Sequence, residues 1–96
     1  MVNVAKSSVV KKVKIINKLG LHLRAAAVFI KLANTFKSDI SFENGNKKVN
    51  GKSIMGLLAL VAPKGTELTI RAKGQDAKRA ATELVKLVSN RFGETE

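Results

Sequence analysis

Between Val9 and Ile16 apolar and basic residues are interleaved. Val13 and Ile15 fall on one face of an extended chain and Lys12 and Lys14 on the other, which predicts a half-buried strand with a charged outer face. Asn17-Lys18-Leu19-Gly20 interrupts the pattern, and Gly20 suits a turn. The period then changes. Ala26, Phe29, Ile30, Ala33 and Phe36 recur at helical spacing, and Ala25, Ala26 and Ala27 favour helix, so a helix is expected from about Leu23 to Thr35. Leu23, Val28 and Leu32 lie off that stripe. They suit either a helix with a wide buried face or an exposed docking patch.

Alternation returns at Ser38–Glu43, with Ile40 and Phe42 inward. Asn44-Gly45 then signals a hairpin, and Asn46–Asn50 is the expected returning strand. Ser53–Leu60 is short and apolar, with Ser53 as a candidate N-cap and Gly56 as a weakness in its helix. Pro63-Lys64-Gly65 is a turn. Glu67–Lys73 reads as a strand with Leu68, Ile70 and Ala72 inward. A last helix runs from Gly74-Gln75-Asp76 to about Arg91, burying Ala77, Ala81, Leu84 and Val88. The order β-α-β-β-α-β-α fits an α+β fold in which one antiparallel sheet carries its helices on one face. A loose N-terminal tail over residues 1–8, a single domain over 9–92 and a C-terminal tail over 93–96 are expected.

Composition narrows the chemistry. A chain of 96 residues that is 45% hydrophobic and 26% charged is sized for one globular core. With no cysteine, disulfides, thiolate zinc sites and cysteine nucleophiles are excluded. A single histidine argues further against a transition-metal site. Neither a run of roughly 20 apolar residues nor a signal-peptide core is present, so a soluble cytoplasmic protein without membrane insertion is expected.

The net charge is +11, and no acidic residue precedes Asp39. Such a balance favours an anionic partner without choosing among nucleic acid, phosphate and an acidic protein face. Gly45 to Ser53 superficially suggests a phosphate-binding P-loop. It has five residues between its glycines where that motif needs four, and Gly45 belongs to a hairpin signal. Nucleic-acid binding rests on charge alone. The four aromatics are Phe29, Phe36, Phe42 and Phe92, and the first three hold expected core positions rather than forming a stacking platform.

The histidine is the most informative polar residue. His22 immediately precedes the first turn of the Leu23–Thr35 helix, where unpaired N–H groups and a partial positive charge favour a neutral ring and an attached phosphoryl group. Arg24 is placed to match added negative charge. From spacing alone, a phosphoryl acceptor and an indifferent capping histidine both remain open.

Gly20-Leu21-His22-Leu23-Arg24 and the helix after it resemble the active-site segment of the histidine-containing phosphocarrier (HPr) family of the bacterial phosphotransferase system. Asn50-Gly51-Lys52-Ser53-Ile54-Met55-Gly56-Leu57 resembles that family's second motif, around a regulatory serine. The similarity runs from about Val9 to Val88. It implies an open-faced β-sandwich of four antiparallel strands with three helices on one side. It implies that His22 receives a phosphoryl group on Nδ1 from phosphorylated enzyme I and passes it to an enzyme IIA domain, with Arg24 assisting. Ser53 matches the serine that a dedicated kinase phosphorylates in some bacteria. Leu23, Ala27, Val28, Lys31, Met55 and Leu58 would form the docking surface.

The resemblance further implies a monomeric relay without independent turnover, metal or organic cofactor. Ala25 replaces the proline usual after the arginine, which predicts a less rigid helix start without loss of function. The nitrogen-regulatory branch of the same relay, and a basic nucleic-acid-binding domain with an incidental histidine, are the alternative functions.

Overall fold

Leu68, Ile70 and Ala72 alternate with Glu67, Thr69, Arg71 and Lys73, and that alternation builds an inner strand of a four-stranded sheet. The computed structural model describes residues 7–96. In chain order the elements are β1 (Ser7–Lys14), α1 (Leu23–Ala33), β2 (Asp39–Asn44), β3 (Lys47–Asn50), α2 (Ile54–Ala59), β4 (Glu67–Gly74) and α3 (Ala77–Ser89). A 3₁₀ turn, Arg91–Gly93, follows. The sheet order is β1-β4-β2-β3 and every pairing is antiparallel. The last strand is thus inserted between the first two, and three helices cover one face, as the α+β open-faced sandwich requires.

The core lies between that face and the helices. Val13, Ile40, Phe42, Leu68, Ile70 and Ala72 meet Ala26, Phe29 and Ala33 of α1 and Ala77, Ala81, Leu84 and Val88 of α3. Phe29 and Phe42 stack with ring centroids 4.8 Å apart, fixing α1 over β2. Phe92 is buried too, so all four aromatic rings belong to the interior and none is left to stack on a base.

Helix and strand ends differ from the expected bounds by one or two residues, and each shift has a local cause. Ser7 and Ser8, placed in the expected tail, instead pair through their backbones with Gly74 and Lys73, a pairing that needs no apolar side chain. Residues 1–6 of that tail lie outside the described residues. Helix α1 stops at Ala33, because the turn that follows folds Phe36 back into the core. Gly56 sits inside α2 because that helix is pressed against β3. A Cβ there would lie 3.2 Å from the Asn50 carbonyl oxygen and 3.3 Å from Val49 Cβ.

The largest difference is at the C-terminus. Helix α3 ends at Ser89, and the chain then passes Arg91 and Phe92 at φ of 58° and 55°, a region that costs non-glycine residues about 1–3 kcal/mol each. Burial of the Phe92 ring offsets that cost. The turn sends residues 94–96 back along the Asn17–Leu19 loop: Lys18 donates its backbone N–H to the Glu96 carbonyl. The expected tail 93–96 thus runs as a return segment, exposed except for half-buried Glu94 and hydrogen-bonded to the loop at Glu94 and Glu96.

Candidate functional site

The loop between β1 and α1 is built around Asn17 and Gly20. Asn17 is fully buried, and its Nδ2 donates to the Gly20 carbonyl at 2.8 Å. Gly20 has φ of 71°, and a Cβ on it would lie 2.6 Å from the Ala62 carbonyl oxygen, so only glycine fits both the backbone conformation and the space. Leu21 then donates to that same carbonyl at 2.9 Å and buries its side chain. These contacts deliver His22 to the N-cap of α1 with an extended backbone.

At that position the imidazole replaces the usual capping oxygen. His22 Nδ1 accepts the Arg24 backbone N–H at 3.2 Å, while the His22 carbonyl accepts the Ala26 N–H at 2.8 Å. A nitrogen that accepts an N–H carries a lone pair and no proton. Nδ1 is therefore the basic, nucleophilic atom of the ring, and it faces the positive end of a helix.

The other ring nitrogen, Nε2, donates to Glu94 Oε2. Glu94 Oε1 accepts from Asn17 Nδ2 at 2.9 Å, so Asn17 ties the loop and the return segment together. Burial pushes the Glu94 carboxyl up. The hydrogen bonds from Asn17 and His22, with the positive charge of Arg24 nearby, outweigh that and hold it below its usual value. Sequence reasoning missed Glu94. An acid 72 residues from the histidine, beyond the last helix, has no spacing that marks it. Arg24 and Glu94 line an open cavity of about 320 Å³ with Lys18, Leu19, Thr95 and Glu96. A larger hollow of about 480 Å³ at the β2–β3 edge shares no lining residue with it.

The remaining expected site residues separate into three settings. Leu23, Met55 and Leu58 are exposed, Met55 to 81% and Leu23 to 62%, on helices that pack side by side, and Ala27 is exposed with them. Leu19 and Val61, also strongly exposed, were not expected as site residues. Val28 and Lys31 instead border a groove between α1 and α3, lined also by Leu32, Thr35 and Leu87. Ser53 is half-buried as the N-cap of α2, and its Oγ accepts the Gly56 N–H at 3.1 Å.

A family model described as the PTS HPr component phosphorylation site matches residues 9–90. The chain belongs to the HPr family. The HPr phosphocarrier protein of Neisseria meningitidis serogroup A is 44% identical over 86 residues, covering 90% of this chain and 97% of the relative. The solved HPr of Thermoanaerobacter tengcongensis superposes with a TM-score of 0.88 at 42% identity, covering 92% of this chain and 99% of its own. A dimeric HPr structure from the same organism superposes at a TM-score of 0.73 with 45% identity, over 85% of this chain and 94% of its own. The HPr fold expected from the two motifs is thus the fold observed. As an HPr the chain is a phosphocarrier of the phosphotransferase system. Among the described residues no helix is long and apolar enough to cross a membrane.

Proposed function

We infer that His22 is the phosphoryl-carrying residue. It accepts the group on Nδ1 from phosphorylated enzyme I and delivers it to an enzyme IIA domain in the cytoplasm. The observation that carries this reading is the bond from the Arg24 N–H to His22 Nδ1. It presents a bare ring nitrogen at a helix N-terminus, and once phosphorus is attached there the same N–H can turn to a phosphoryl oxygen. Attack by the Nδ1 pair on the donor's phosphorus breaks the donor's P–N bond, and that electron pair stays with the donor nitrogen. No metal or organic cofactor takes part, and the carrier works as a monomer without turnover of its own.

Arg24 is exposed at the mouth of the cavity, where its guanidinium can match the charge of a phosphoryl group in transit. Leu23, Ala27, Met55 and Leu58 supply apolar contact for either partner. Val28 and Lys31 extend that surface toward α3. Ser53 is the regulatory position for a serine kinase, and its place at the start of α2 tolerates a phosphate. Nucleic-acid binding is disfavoured, because all four phenylalanines are interior.

Incubation with enzyme I and phosphoenolpyruvate tests the reading by intact mass. One phosphoryl group that is lost in acid, survives alkali and is absent from His22→Ala is expected. Label that resists acid or persists in His22→Ala overturns it.

A further inference from the structure

Four atoms in a row connect the buried loop to the reactive ring. Asn17 Nδ2 donates to Glu94 Oε1, and Glu94 Oε2 accepts from His22 Nε2. On the far side of the same ring, Nδ1 accepts the Arg24 N–H. The imidazole is therefore held at both nitrogens, and the two bonds agree on a single tautomer, with the proton on Nε2 and the lone pair on Nδ1. Asn17 is itself fixed by its second bond, to the Gly20 carbonyl, and by complete burial. Its Oδ1 has no partner among the described residues, so the amide is oriented by its two donor bonds.

We propose that Glu94 is a positioning residue for phosphoryl transfer, a carboxylate from the C-terminal return segment that orients His22 and holds its Nε2 proton while Nδ1 reacts. The proposal rests on His22 being the phosphoryl acceptor. When the Nδ1 pair forms a bond to phosphorus the neutral ring becomes cationic, because the Nε2 proton stays where it is. A carboxylate on that proton compensates the new charge and leaves the Nδ1 side open to the donor. Delivery of the group reverses the step: the N–P bond breaks, its electron pair returns to Nδ1, and the ring is neutral with the same tautomer.

The geometry also explains why the chain ends in a turn instead of a longer helix. Had α3 continued past Ser89, residues 91–94 would extend along its axis. The left-handed Arg91 and Phe92, with Phe92 buried as the anchor, are what bring Glu94 onto His22.

The test combines a spectroscopic reading of the ring with a rate. In ¹⁵N-labelled, unphosphorylated protein the expected result is a protonated Nε2, a bare Nδ1 and an Nε2 proton slowed in its exchange with water. Glu94→Ala is expected to lose that protection and to accept phosphoryl from enzyme I about tenfold more slowly or worse. Its far-ultraviolet spectrum should be unchanged and its melting temperature only modestly lowered, by the lost bond to Asn17. Glu94→Gln keeps an acceptor oxygen without the charge, and is expected to recover the protected proton with only part of the rate. A Glu94→Ala protein with the proton still protected and the wild-type transfer rate overturns the proposal. If the wild-type protein accepts no phosphoryl group, the relay reading falls, while the proton signal still decides whether Glu94 holds the ring.

Discussion

Leu21 donates its backbone N–H to the Ala62 carbonyl at 2.9 Å, which fastens the loop bearing His22 to the chain leaving α2. The two signature segments of the sequence are thereby one structural unit. Val61, two residues past the end of α2, sits at φ of 50° with its side chain exposed, an unfavourable conformation for a β-branched residue, kept so that Ala62 can turn inward and offer that carbonyl.

Gly20 tests the unit. Gly20→Ala forces a Cβ to 2.6 Å from the Ala62 oxygen and 2.8 Å from Pro63 Cα, both backbone atoms, at a φ that alanine disfavours. The two strands of loop must move apart. We expect a loss of roughly 2–3 kcal/mol in urea denaturation. Phosphoryl acceptance should fall further than stability explains, because His22 moves with the loop. Unchanged acceptance in folded Gly20→Ala would show that the fastening does not position the ring.

Ser53 tests the second motif. Its Oγ accepts the Gly56 N–H, so Ser53→Ala should cost about 1 kcal/mol in denaturation. Ser53→Asp should keep the cap, because a carboxylate suits a helix start, yet it places negative charge beside exposed Met55 and Leu58. Transfer from enzyme I should weaken in that variant while its melting temperature holds. Normal transfer by folded Ser53→Asp would leave Ser53 with capping as its only role.

Asp76 contributes to the acid response. Its carboxylate accepts from the Ser38 hydroxyl and from the Lys37 and Ser38 backbone N–H groups, which lower its pKa from 3.8 to about 2 against a smaller opposing effect of burial. A depressed carboxyl pKa stabilises the fold above the unfolded value, and that contribution is lost as pH falls through the folded value. Wild type should therefore exceed Asp76→Asn in stability near neutrality. The difference should shrink from about pH 4 downward and be gone below about pH 2. Paired urea titrations across that range measure it, and a difference that persists at the acid end contradicts the assignment.

What could be read from the chain and what could not divide along a physical line. β1, β4 and both long helices announce themselves because their burial is periodic within one segment, as with Leu68, Ile70 and Ala72. The His22 and Ser53 caps were legible because capping is local. Glu94 was not, since its partner is reached only after α3 ends and the chain reverses through Arg91 and Phe92. Asn17 was equally silent as a buried amide, because an asparagine opening a polar loop that closes on a glycine, as in Asn17-Lys18-Leu19-Gly20, looks like an ordinary turn residue. Ser7 and Ser8 join β1 by backbone pairing, which leaves no mark on side-chain pattern.

Arg24 and Lys31 separate charge at the reacting atoms from charge that steers. Both are exposed cations of α1, seven residues and so about 10 Å apart along the axis. Arg24 borders the cavity shared with Glu94, two residues along the chain from His22, whereas Lys31 borders the groove against α3. A cation near a transferring phosphoryl group acts in the transition state, and removing one such stabiliser costs about 3 kcal/mol, or roughly a hundredfold in rate. A cation at the rim of a docking surface mainly accelerates encounter, and that effect is screened beyond a Debye length of about 8 Å at physiological ionic strength. Arg24→Ala should therefore slow phosphoryl transfer by roughly a hundredfold at low and high salt alike. Lys31→Ala should slow it only a few-fold at low salt and converge on wild type as salt is raised. Rapid-quench transfer from phosphorylated enzyme I at two ionic strengths reads both. Equal losses with the same salt dependence would place the two residues in one steering role and remove Arg24 from the transition state.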